Sequence, residues 1–325
     1  MGPSVIAGMA AAPLRYPQSA LAPAGPVARS EFQLIQLSLV IMLGVFVAVT
    51  AAFAYTAVRY RSRPGNLAPA SAVDENRRLE IGWTLVPLIL LVVMAVPTVK
   101  DSYALTPPDT PRVVDVRVIG HQFWWELQYT RLGVTTANEL VIPYGRKIDL
   151  SLTSADVIHS FWVPRLAGKT DLNPGQLNTA WIQADRPGVY EGQCAEYCGL
   201  GHANMHIRVV AVTDREFARW VDGMRHPRVT PASALAKRGM ALFGQVGCSS
   251  CHTVAGTRFH GQLGPELTGM GNRATIAAGT LTNTPAHLRR WLANPPAILP
   301  GSTMPDLHLT GSQISALTAY VESLR

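Results

Sequence analysis

Cysteine and charge are both scarce in this chain. Only four of its 325 residues are cysteine, and 15% are charged. So few cysteines in so long a chain argue against a disulfide-built scaffold, which suits small secreted domains. Charge is absent altogether from residues 32–58 and 81–99. Basic residues are spread out and form no nucleic-acid motif, so the net charge of +7 does not point to a nucleic-acid partner. The Ala- and Pro-rich residues 1–31 lack the basic start of a secretory leader. They read as a flexible tail or a processed segment.

The two uncharged runs each reach the roughly 20 residues that cross a bilayer. Buried core helices are the competing reading, and runs of this length argue against it. Residues 32–100 are therefore expected to form a transmembrane helical hairpin. Its connection carries Arg59, Arg61, Arg63, Arg77 and Arg78, which the positive-inside rule places in the cytoplasm. Everything after about Lys100 then faces outward, to the periplasm if the membrane is a bacterial inner membrane.

Residues 105–225 change character. Stretches 113–119, 147–152, 179–183, 189–193 and 206–212 are short, apolar or alternating, with Gly and Pro between them. They predict an all-β sandwich or barrel. Thr213 and Glu216 have capping-box spacing ahead of Phe217, Trp220 and Val221, which predicts a closing helix. Residues 226–232 hold two prolines and read as a linker. Residues 233–325 look mostly helical, with helices expected from Ser233 to about Gln245, over 284–294 and over 310–324.

The four cysteines fall in two close pairs, each with histidine nearby. Residues 194–205 offer Cys194, Cys198, His202 and Met205 within twelve positions, and His159 can supply a second imidazole from another loop. Thiolate, thioether and imidazole suit copper. Two competitors stay open: a tetrahedral zinc site on His159, Cys194, Cys198 and His202, and a single blue-copper site with one cysteine spare. Cys248-Ser-Ser-Cys251-His252 is the c-type haem attachment pattern, with His252 as the proximal ligand. The alternative, a thioredoxin-like redox pair, lacks a surrounding βαβ pattern. Met304, between two predicted helices, is the leading sixth ligand, and a Met/His pair suits an electron carrier. Met270, His260 and His308 compete with it.

In order and spacing, the hairpin, the His159 loop and residues 194–205 resemble subunit II of cytochrome c oxidase, over residues 30–222. Residues 233–325 resemble class I cytochrome c, with Gly264-Pro265 covering the proximal histidine and Gly239 and Phe243 packing on Tyr320. Such a fusion resembles the caa-type haem-copper oxidases. The resemblance implies a multidomain membrane protein: a transmembrane hairpin, an all-β cupredoxin Greek-key domain and an all-α class I cytochrome c domain. It implies a dinuclear CuA centre bridged by Cys194 and Cys198. His159 and His202 would bind one copper each, and Met205 and the Glu196 carbonyl would be weak ligands. It also implies a magnesium ion on the Glu196 side chain at the border with subunit I, and a proton-channel mouth at Glu80.

The same resemblance implies an electron path through Trp124 and Trp125. Phe123 stands where a tryptophan would accept electrons from soluble cytochrome c, so the tethered haem is the expected donor to copper. The chain is then the electron-input subunit of a proton-pumping terminal oxidase. Its expected partners are subunit I, subunit III, membrane lipid and an upstream donor such as a cytochrome bc complex or cytochrome c. A CuA-containing nitric oxide reductase is the alternative enzyme, and a membrane-held copper chaperone or electron carrier the non-enzymatic one.

Overall fold

Two long helices come first in the computed structural model, which describes residues 17–61, 75–106 and 115–325. Residues 1–16 of the expected tail, Arg63 in the basic connection, and Val113 and Val114 of the first expected strand lie outside the described residues. Helices α1 (Pro26–Arg59) and α2 (Arg77–Leu105) are both long and apolar enough to cross a membrane, with mean hydropathy of 2.5 and 2.3 over an 18-residue stretch of each. Asn76 caps α2 by accepting from the Leu79 N–H, and Glu80 sits in its first turn, where a carboxylate suits the helix dipole. Ser30 Oγ, near the start of α1, donates to Asp101 Oδ2, near the end of α2. That contact brings the start of α1 to the end of α2, as an antiparallel hairpin requires.

Both boundaries of the hairpin differ from expectation. α2 runs past Lys100 to Leu105, because a helix does not stop where its apolar run stops. α1 starts at Pro26, not at Phe32. The residues just before it are no loose tail: Ala24 N donates to Arg165 O at 2.7 Å, Asp185 N to Ala24 O at 2.9 Å, and Ala28 N to Leu166 O at 3.2 Å. These bonds are made by backbone, so an Ala- and Pro-rich composition gives no hint of them.

The β-domain is a sandwich of two five-stranded sheets. One has the order β3 (Val134–Ala137), β2 (Trp124–Tyr129), β1 (Val116–His121), β5 (Ile148–Ser154), β8 (Asn178–Ile182). The other has the order β4 (Glu139–Pro143), β10 (His206–Val212), β9 (Gly188–Cys194), β6 (His159–Trp162), β7 (Thr170–Leu172). Each sheet contains one parallel pair, β1 with β5 and β4 with β10, so the chain must cross between sheets as in the expected Greek-key sandwich. Leu127, Leu150, Leu152 and Ile207 are buried between them. Buried Tyr129 ties the sheets together, its hydroxyl donating to Val141 O at 2.7 Å and accepting from Val141 N at 2.8 Å. Helix α3 (Asp214–Arg225) begins with the Thr213/Glu216 capping box and lays Phe217 and Trp220 against Val141, Val210 and Val212.

The C-terminal domain holds α4 (Ala234–Gln245), the single turn α5 (Cys248–Cys251), α6 (Pro285–Ala293), the single turn α7 (Pro295–Ile298) and α8 (Gly311–Ser323). Two small ladders, β11 (Thr253–Val254) with β12 (Phe259–His260) and β13 (Thr275–Ile276) with β14 (Leu281–Thr282), add to the helical fold. Helices α4 and α8 cross at Gly239, where a Cβ would stand 2.0 Å from Ala316 O and 2.7 Å from Tyr320 Cβ. Only hydrogen fits there, and the close approach lets Phe243 meet Tyr320 edge-on, with ring centroids 5.5 Å apart.

Candidate metal and haem centres

Strand pairing gathers the first set of soft ligands. Strand β9 ends at Cys194 and β10 begins at His206, and Cys194 N donates to Met205 O at 2.9 Å across the base of the loop between them. A short 3₁₀ turn at His202–Asn204 folds that loop back. On the other side of β9, β6 pairs Phe161 with Cys194, and Ala195 N bonds Ser160 O at 2.9 Å, which brings His159 alongside. The ligand atoms of His159, Cys194 and Cys198 lie within 4.8 Å of one another, and all three residues are buried. The two Sγ atoms are 3.9 Å apart and unbonded. Cys194 Sγ is 3.9 Å from His159 Nδ1 and 3.2 Å from Glu196 O. Cys198 Sγ is 3.6 Å from His202 Nδ1 and 3.9 Å from Met205 Sδ.

The electrostatics suit a site that holds thiolate. A hydrogen bond from Cys198 is the largest cause that brings Cys194 down to about 3. The same contact, with burial, pushes the Cys198 thiol up. Burial opposes charge on His159, yet its bonds to Asp156 and Cys194 outweigh that and raise it. His159 Nε2 meets Asp156 Oδ1 at 2.8 Å, which leaves Nδ1 turned to the sulfurs. Asp156 has no motif around it in the sequence. A closed zinc site would leave the Met205 thioether idle, whereas copper takes soft sulfur readily. The donor set fits copper.

The expected neighbours of this site divide. Trp125 is fully buried and meets His159 edge-on at 6.1 Å and Phe161 at 5.7 Å. Trp124 stacks on His121 at 4.2 Å. At Gly120 a Cβ would come within 2.7 Å of His159 Cδ2, so glycine is what admits the ring. The Glu196 carboxylate meets Lys169 Nζ at 3.4 Å, and nothing in this geometry supports magnesium there. Glu80 belongs to a separate compact unit, Arg29–Thr106, from the one holding these residues.

The second set lines a cavity of about 460 Å³. Helix α5 presents Cys248 and Cys251 one turn apart, followed at once by His252. His252 Nδ1 donates to Pro265 O at 2.8 Å, leaving Nε2 free for a metal, and burial lowers its proton affinity. Burial raises the Cys248 thiol to about 11. Met304 and Met270 both line the cavity, with Leu288 and Leu299 among its apolar walls. His308 is 88% exposed and His260 is exposed on β12, so the candidates for the opposite ligand narrow to the two methionines. Two thiols, an imidazole, a thioether and apolar walls fit a covalent haem.

One wall of this cavity comes from the β-domain: Gln122, Phe123, Trp124, Ala137 and Asn138. Gln122 Nε2 also donates to the Cys198 carbonyl. Gln122 therefore touches both centres, and the sequence reading passed over it in favour of its aromatic neighbours.

Residues 18–100 match the family model described as cytochrome C oxidase subunit II, transmembrane domain, residues 131–212 its periplasmic domain, and residues 236–325 cytochrome c. Cytochrome c oxidase subunit 2 of Alkalihalophilus pseudofirmus is 39% identical over 94% of this chain and 91% of that protein. The same subunit of Bacillus sp. strain PS3 is 38% identical, again over 94% of this chain and 91% of that protein. Among solved structures, the periplasmic domain of subunit II of cytochrome oxidase from Bradyrhizobium japonicum is 32% identical, covering 36% of this chain and 96% of that one, with a TM-score of 0.34.

Proposed function

Because the chain belongs to the cytochrome c oxidase subunit 2 family and carries a cytochrome c domain at its C-terminus, we propose that it relays electrons from a covalent haem to a dinuclear CuA centre and on to subunit I. The observation that carries this reading is the shared wall: the cavity holding Cys248, Cys251 and His252 is closed by Gln122, Phe123 and Trp124 of the β-domain. No diffusing carrier is then needed between the two centres.

Bound haem and bound copper supply one-electron redox chemistry. The protein's part is to hold them. Cys248 and Cys251 would tether the haem, His252, held by the Pro265 carbonyl, would be one ligand to it, and Met304 would be the other. Cys194, Cys198, His159 and His202 would hold the copper, with Met205 and the Glu196 carbonyl as weaker ligands. The β-sandwich would keep these donors in place as electrons pass. Trp124 and Trp125, the latter edge-on to His159, are the proposed electron path beside the copper site. Oxygen reduction takes place in subunit I, since two helices cannot house it. Subunit III and an upstream cytochrome bc complex or cytochrome c complete the chain of partners. The arginine-bearing connection of the hairpin faces the cytoplasm of a bacterial inner membrane, and both metal domains face the periplasm.

The test is metal and haem analysis of the full chain purified in detergent. Two coppers, one haem and a near-infrared mixed-valence band are expected, and one zinc without copper would overturn the reading. In the same preparation Cys194→Ser should abolish the near-infrared band and spare the haem. Met304→Ala should lower the haem potential and spare the copper. The assembled complex should consume oxygen, and consumption of nitric oxide in its place would assign it to the other reaction.

A further inference from the structure

The cytochrome domain and the β-domain meet at several places, and one of them is unusual for a surface. Glu139, the first residue of β4, is only 3% exposed. Its Oε1 accepts from Ala274 N at 2.9 Å and Thr275 N at 3.2 Å, both in the cytochrome domain. It also accepts from Arg208 Nη1 at 3.1 Å on the neighbouring strand β10. The Arg273 guanidinium, one residue before the two amides, is attracted by Glu139 as well. Arg273 lines the haem cavity and donates to Glu266 O at 2.6 Å.

A buried carboxylate is costly unless charge and hydrogen bonds surround it. Arg208 supplies part of that surrounding from within the β-domain, and the remainder comes only from the docked cytochrome domain. Two further meeting places lie beside the candidate copper site. His206 N donates to Ala278 O at 2.9 Å and Thr280 Oγ1 to Asn204 O at 3.3 Å, on either side of Met205. The chain at Gly301 lies so close to Phe123 that a Cβ there would stand 2.9 Å from its ring.

We propose that Glu139 is a positioning residue that locks the cytochrome domain onto the β-domain, so that electrons cross a fixed seam and not a swinging tether. The inference rests on the proposed haem-to-copper route for its purpose, and on the interface alone for its geometry. Arg208 already balances Glu139 in part, so the cytochrome-domain amides add directional bonds where charge alone would leave the orientation free. A fixed seam also leaves only the faces of the cytochrome domain turned away from the β-domain for an external donor.

The experiment is amide hydrogen exchange on the full chain, read at His206. That amide is protected by the Ala278 carbonyl and does not touch Glu139. In Glu139→Ala its exchange should rise about 30-fold or more, the scale of truncating one partner of a buried charged hydrogen bond. Exchange in α4 and α8 should be unchanged. In the haem- and copper-loaded chain, the haem-to-copper rate should become viscosity-dependent in the variant only, with both midpoint potentials unmoved. Glu139→Gln keeps an acceptor but loses the charge, so its exchange should rise about fivefold. It carries the test alone if Glu139→Ala does not accumulate. Faster exchange confined to Ala274 and Thr275, or rising equally in α4 and α8, would overturn the lock, as would no change at His206 in either variant. A chain without copper would sink the electron route and leave the exchange result standing.

Discussion

Asp156 decides which nitrogen of His159 faces the sulfurs. Its carboxylate takes Nε2, so Nδ1 is the nitrogen left for a metal. The loop that places it is local: Asp156 N donates to Ser154 Oγ at 3.1 Å, and Gln122 N donates to Asp156 Oδ2 at 2.7 Å. Partners of this kind typically contribute about 10–100-fold in metal affinity. Asp156→Asn is therefore expected to weaken copper binding by about that factor in a chelator competition, with haem absorbance unchanged. Equal copper affinity in the variant would mean that His159 is oriented by packing against Trp125 alone. The candidate ligands themselves were legible because Cys194, Cys198, His202 and Met205 lie within one loop. Asp156 was not, since an isolated aspartate carries no signal until a histidine ring is placed against it.

Among the elements, legibility followed burial. Strands such as β5, with one face more open than the other, alternate and can be read. Strand β4 is buried at all five positions, sheet on one side and α3 against the other, so its residues carry no period of two. The short β6 and β7 were missed for lack of length as well. The helix crossing in the cytochrome domain gives the sharpest prediction at this scale. Gly239→Val must push α4 away from the Ala316 carbonyl, and overpacking of this kind costs about 1–3 kcal/mol. Thermal unfolding of the haem-loaded chain should shift down accordingly. Gly223→Ala in α3, where a Cβ meets nothing within 4 Å, should leave it in place. Equal behaviour of the two variants would remove the crossing as a source of stability.

For the whole molecule, the chain is a membrane protein, part of a haem-copper oxidase. Two apolar helices precede a compact unit in which the β-domain and cytochrome domain lie together. The proposed proton role belongs to the hairpin and to neither candidate metal centre. Glu80 in the first turn of α2 is the expected channel mouth. In the assembled complex Glu80→Ala should slow turnover and proton uptake together, while haem and copper reduction by a fast chemical donor stay as in the parent. Unchanged turnover would leave Glu80 as a solvated carboxylate at a membrane border.

The sequence by itself determined the two long apolar helices, the haem-attachment motif and the copper-type donor set. Each rests on residues close together in the chain: an uncharged run, a five-residue motif, a single loop. The tertiary structure alone decided how the centres are joined. Gln122 reaches Cys198 across 76 positions, and Glu139 reaches Ala274 across 135. Contacts that distant have no spacing to read, because the fold, and not the chain, sets which residues meet.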